Sequence, residues 1–173
     1  GNTLGIFGLG KQGLQVASYA KAFGMKVIAW SHNLKQEDCE KVCVEYVSSA
    51  DLFKISDILT IHTRLSDRTR GYINKNNLML MKKSSVIINT SRGPIIKEQD
   101  LIEVLNRNII SCAALDVYDQ EPLPKHHILR KTKNLILTPH IGYVSEEAYE
   151  KFFNGYIKAI EAFINKKPIN QIF

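Results

Sequence analysis

Arg92, Glu121 and His140 stand in three short stretches: Asn89-Thr90-Ser91-Arg92-Gly93-Pro94, Tyr118-Asp119-Gln120-Glu121-Pro122-Leu123 and Thr138-Pro139-His140-Ile141-Gly142. A guanidinium neutralises a carboxylate, an imidazolium donates a proton to a carbonyl oxygen, and a carboxylate beside the imidazole favours its charged form. Reduction of a 2-keto acid requires that set. Taken singly, each residue has an ordinary explanation: Arg92 as a surface arginine, Glu121 as solvated loop charge, His140 as a capped loop histidine. Their meaning depends on whether the chain brings them to one rim.

A second constellation supplies the context. Gly8-Leu9-Gly10-Lys11-Gln12-Gly13 follows the apolar run Leu4-Gly5-Ile6-Phe7 and precedes Leu14, Ala17, Ala20 and Phe23, apolar at spacing three, with Gly24 beyond. The order is a buried strand, a glycine turn and a helix closed by glycine. The first glycine suits a tight turn, the second close approach of a pyrophosphate, and the third packing of the helix on the strand. The helix N-terminus offers its N–H groups to the anion. Glycines also punctuate ordinary loops, so the string counts only in this strand–helix setting, where it reads as a dinucleotide fingerprint.

The remaining elements alternate. Strands are predicted at Met25 to Trp30, Cys43 to Val47, Asp57 to Ile61, Ser85 to Asn89, Ile109 to Leu115 and Leu135 to Leu137. Helices are predicted at Ser49 to Lys54 (capped by Ser48 or Ser49), in a turn or two at Asn76 to Met81, at Glu98 to Leu105, and from Ser145 to about Asn165. Leu78, Met79 and Met81 read as core, as do Leu101, Val104 and Leu105. Phe152, Tyr156, Ile160, Phe163 and Ile164 form the apolar stripe of the last helix. The pattern predicts an α/β chain with one doubly wound parallel sheet and helices on both faces. In such sheets ligands lie beyond the carboxyl ends of the strands. The polar residues left there are Ser31, His62, Thr90 to Arg92, Asp116 and His140. Ser31 occupies the position where an acidic residue would bond the adenosine ribose and repel a 2′-phosphate.

Bulk properties exclude several classes. With 45% apolar and 23% charged residues, the 173-residue chain has the make-up of a globular domain rather than a disordered or membrane-embedded one. Its net charge of +6 is scattered, not gathered with aromatics, which argues for a solvated surface over nucleic acid. Cys39, Cys43 and Cys112 lack metal spacing and read as reduced thiols of a cytoplasmic protein, with no metal site expected. The first methionine is Met25, and the chain opens just before its first strand. A missing N-terminal portion is therefore expected.

Over nearly its whole length the sequence resembles the NAD-dependent D-isomer-specific 2-hydroxyacid dehydrogenases. The resemblance rests on Gly8 to Gly13, Asn89 to Pro94, Ala114-Leu115-Asp116-Val117-Tyr118 through Glu121-Pro122-Leu123, and Thr138 to Gly142, in that order. It implies a Rossmann-like domain over residues 1–173, whose last helix returns toward a substrate domain absent from this chain. It implies Arg92 as the substrate-orienting arginine, His140 as acid/base and Glu121 as its partner. Asp116 would lie near the nicotinamide carboxamide, and Thr90, Ser91 and Arg92 would line the nicotinamide side. The cofactor set is completed by Gly8, Gly10, Lys11, Gln12, Gly13, Ser31, His62, Thr63, His140 and Gly142. The family has proline where this chain has Arg64; that departure and Ser31 leave NADP open beside NAD. The implied activity is reduction of a 2-keto acid to a D-2-hydroxy acid, or the reverse, by a homodimer, with this piece alone inactive. The alternative is a nucleotide-sensing interaction module of the co-repressor type.

Overall fold

Short, mostly apolar runs form the strands, and the computed structural model describes residues 1–171. In chain order they are β1 (Thr3–Phe7), β2 (Lys26–Trp30), β3 (Glu45–Tyr46), β4 (Ile58–Ile61), β5 (Val86–Asn89), β6 (Cys112–Leu115) and β7 (Leu135–Leu137). The helices are α1 (Lys11–Ala22), α2 (Gln36–Glu40), α3 (Ser49–Ile55), α4 (Lys75–Leu78), α5 (Glu98–Asn106) and α6 (Glu146–Ile164). All strand pairs are parallel, in the order β3-β2-β1-β4-β5-β6-β7. The order reverses between β1 and β4, which opens a crevice at the carboxyl ends of those two strands. The doubly wound sheet expected from the alternation is present.

The chain divides into two compact units, residues 1–140 and 141–173. In the first, alternation along the strands fills two cores. Leu4, Ile6, Val27 and Ala29 pack with Ala17 and Ala20 of α1 and Cys39 of α2. Phe7, Ile28, Leu59, Ile61 and Ile87 join Leu52 and Phe53 of α3, Leu78 of α4 and Leu101, Val104 and Leu105 of α5. Burial of each large aliphatic side chain contributes about 1.5–3 kcal/mol, so these two layers hold the strand ends in place. Ser48 caps α3, accepting from the Asp51 N–H at 3.1 Å.

Several local expectations need correction. Leu14 and Phe23 are exposed, Phe23 at 85%. Spacing of three slips about 60° per step on a helix, so only the middle of that stripe, Ala17 and Ala20, meets the sheet. Met79 is exposed because it follows the single turn of α4, whereas Leu78 and Met81 are buried. The third strand shrinks to two edge residues, and β6 starts at Cys112 rather than Ile109. Helix α2 was not foreseen; five residues with one buried side chain leave no periodicity to read.

In the second unit, Ser145 caps α6 by accepting from the Ala148 N–H at 3.1 Å, with Glu146 and Glu147 in the first turn. No residue of α6 is buried, and its stripe is on the surface. Among the described residues no helix is long and apolar enough to cross a membrane.

Candidate active site

The turn after β1 is shaped by what its glycines lack. Gly8 has φ +104°, and a Cβ there would lie 2.6 Å from the Thr63 nitrogen. A Cβ on Gly13 would lie 2.3 Å from the Gly8 carbonyl oxygen, so α1 sits directly on the turn. Around Gly10 there is open space. Gly10 is the N-cap of α1, no side chain caps the helix, and its first turn has no acidic residue. An uncapped N-terminus facing open space suits an anion. A cleft of about 920 Å³ extends from here, lined by Gly8, Gly10, Lys11, Gln12, Ser31, His62 and Thr63, with Arg64 and Arg68 beside them. The bare glycine, the uncapped helix and the neighbouring Lys11 fit the pyrophosphate of a dinucleotide.

His62, at the end of β4, is half-buried and pairs through Nε2 with Thr60 Oγ1 at 3.0 Å. Burial pushes its pKa down, favouring the neutral ring. The loop after β5 winds about Asn89, which is fully buried. The Asn89 amide donates to the Arg92 carbonyl at 2.9 Å and accepts from the Ser91 N–H at 3.0 Å. The Ser91 hydroxyl donates to the Thr63 carbonyl at 2.5 Å, joining the β4 and β5 loops. Thr90 and Arg92 remain exposed.

Asp116 directly follows β6, is buried, and accepts from the Thr138 hydroxyl. Beyond it, Tyr118 knits three segments together. Its hydroxyl donates to the Leu115 carbonyl at 3.1 Å and the Thr138 carbonyl at 2.6 Å, and its N–H donates to Glu121 Oε1 at 2.9 Å. Its backbone presses on Gly93, where an added Cβ would lie 2.1 Å from the Tyr118 carbonyl carbon. Glu121 Oε2 pairs with His140 Nδ1 at 2.5 Å. Burial alone would push the Glu121 carboxyl up; the hydrogen bonds from His140 and Tyr118 and the charges of His140 and Arg92 outweigh it, holding the carboxyl below its ordinary value. His140 has φ 56°, in the left-handed region that few side chains occupy.

These strand-end residues share one edge because the sheet is parallel, yet they do not line one cavity. Glu121 and His140, with Tyr118 and Leu137, border a second cavity of about 480 Å³. Thr90, Arg92 and Asp116 line neither it nor the larger cleft. Gly142 belongs to the second unit. Sequence reading assigned no role to Asn89, Tyr118 or Thr138. Asn89 bonds within its own motif, to Ser91 and Arg92, whereas Tyr118 and Thr138 find partners about 20 residues away. Among the described residues no group of His, Cys, Asp and Glu could hold a metal ion.

Residues 1–142 match the family model of the D-isomer specific 2-hydroxyacid dehydrogenase NAD binding domain. The chain belongs to this family. Among relatives of the 2-hydroxyacid dehydrogenase type, the glyoxylate reductase of Aeropyrum pernix is 44% identical over 147 residues, which is 85% of this chain and 44% of that protein. The phosphoglycerate oxidoreductase of Vibrio cholerae superposes with a TM-score of 0.90 at 34% identity, covering 96% of this chain and 53% of the other. The D-lactate dehydrogenase of Aquifex aeolicus, solved with NAD and lactic acid, gives 0.83 at 30% identity, covering 96% and 54%. The chain thus spans about half the length of the curated relatives it matches.

Proposed function

We propose that this chain is the nucleotide-binding part of an oxidoreductase that interconverts a 2-keto acid and a D-2-hydroxy acid. The observation that carries the reading is the Glu121–His140 pair at 2.5 Å, with Gly93, next to Arg92, packed on the Tyr118 backbone whose N–H bonds Glu121. The glycine turn and the N-terminus of α1 would hold the pyrophosphate, with Lys11, Gln12, His62 and Thr63 along the cleft. Thr90, Ser91 and Asp116 would flank the nicotinamide. Bound nicotinamide dinucleotide supplies the hydride. Arg92 orients the substrate carboxylate and polarises the carbonyl. His140 gives its proton to the carbonyl oxygen from Nε2, because Nδ1 is held by Glu121.

In this reading the domain spans residues 1–173, α6 leads toward a substrate domain, and that domain closes the cleft against water. The chain alone then binds nucleotide with little or no turnover; brisk keto-acid reduction by it would contradict this. The protein would act in the cytoplasm as a homodimer. The relatives named above are described as a reductase, an oxidoreductase and a dehydrogenase, which supports catalysis over nucleotide sensing. The test is His140→Ala in the full-length protein. Loss of keto-acid-dependent NADH oxidation is expected, and undiminished oxidation would overturn the assignment.

A further inference from the structure

The end of the cleft at β2 carries charge that the catalytic reading leaves unused. Ser31 directly follows β2, where a carboxylate would otherwise meet the adenosine ribose. Arg68, in the turn after β4, donates from Nη1 to Asn33 Oδ1 at 3.3 Å, joining two loops 35 residues apart. Ser31, Asn33, Arg64 and Arg68 all line the larger cleft. Among the described residues, no carboxylate lies within ion-pair distance of Arg64 or Arg68. Asp38 also lines the cleft, but Lys41 holds its carboxylate at 3.0 Å. Burial, and then the Arg68 charge, push the His32 imidazole down.

A cation without an anionic partner, held by a neutral amide beside a hydroxyl, is suited to a phosphate monoester. The planar guanidinium matches phosphate oxygens in a two-pronged fashion, and nothing at Ser31 repels the negative charge. Resting on the dinucleotide reading above, we infer that this end of the cleft binds the 2′-phosphate of NADPH, with Arg68 as its principal cation and Ser31 and Asn33 as hydrogen-bonding partners. The chain then prefers NADPH to NADH, through a residue on the β4 loop rather than on β2 itself. The phosphate takes the place of the Asn33 carbonyl oxygen on Arg68, and the Asn33 amide turns its NH₂ toward it.

Trp30 is the only tryptophan. It adjoins Ser31 and stacks on Phe7 at 5.5 Å and on Tyr72 at 5.3 Å, so its emission reports on this end of the cleft. The experiment titrates the 173-residue chain with NADPH, NADH, 2′,5′-ADP and 5′-AMP, by Trp30 fluorescence and calorimetry. NADPH is expected to bind about ten- to a hundredfold more tightly than NADH, the range for charge-assisted hydrogen bonds. 2′,5′-ADP should compete where 5′-AMP does not, and the preference should shrink as salt rises. Arg68→Gln should abolish the preference while NADH affinity stays within twofold; Arg64→Gln, with circular dichroism of both variants, controls for loss of a surface cation. NADH binding as tightly as NADPH would overturn the inference but leave the dinucleotide reading standing. An equal loss for both nucleotides in Arg68→Gln, or a preference that survives it, would overturn the role of Arg68. Binding of neither nucleotide would sink both readings.

Discussion

Gly8, Gly10 and Gly13 shape one end of the strand-end rim by lacking side chains, whereas Asn89, Tyr118, Glu121 and His140 shape the other through side-chain hydrogen bonds. At the glycine end the neighbours are backbone: the Thr63 nitrogen beside Gly8 and the Gly8 carbonyl beside Gly13. Backbone cannot step aside, so that end should tolerate almost nothing. At the acid–base end, isosteric changes can keep the shape and delete a proton or a charge. Binding of the nucleotide and the chemistry done on the substrate should therefore be separable by mutation.

The largest effect is expected at the glycine end. Gly13→Val must push α1 off β1, and it should cost about 3 kcal/mol in urea denaturation and remove nucleotide binding. A variant with normal affinity would show that the turn is more pliable than its contacts imply. At the other end, Glu121→Gln in the full-length protein should leave NADH affinity within twofold while slowing keto-acid reduction by about a hundredfold or more. If affinity and rate fell together, the two ends would not be separable. Tyr118→Phe sharpens the comparison further. It removes the hydroxyl that bonds the Leu115 and Thr138 carbonyls, and should lower stability by about 1–2 kcal/mol with affinity intact.

The smallest effect concerns acid. The Glu121 carboxyl is held below its ordinary value in the folded chain, so its contribution to stability is complete above the unfolded carboxylate pKa of about 4.3. It is lost as pH falls from there through the lower folded value. Urea midpoints between about pH 5 and pH 3 should fall more steeply in the parent than in Glu121→Gln. Parallel profiles would mean that the pair adds nothing to folding.

Much of this comparison is legible in the sequence. Gly8 to Gly13 and the motifs around Arg92, Glu121 and His140 are local strings, and strand alternation fixed which ends they occupy. What escaped was long-range. Arg68 reaches Asn33 across 35 residues, and Tyr118 bonds a carbonyl 20 residues on, from ordinary polar and aromatic positions that carry no periodic signal. Leu14 and Phe23 are exposed for a geometric reason, since a three-residue repeat does not keep to one side of an α-helix. The apolar stripe of α6 was legible as a pattern, yet its residues are exposed, because periodicity specifies a face and not what covers it.

The contact of Gly93 on the Tyr118 backbone sets a rule for recombination. The segments that carry Arg92 and Glu121 meet there with no side chain between them to absorb a misfit. A chimera that draws residues 86–97 from one relative and 112–123 from another must match both backbones at that point. Breeding or shuffling experiments should therefore recover the two segments as a single inherited block, even though the helix α5 and a turn lie between them.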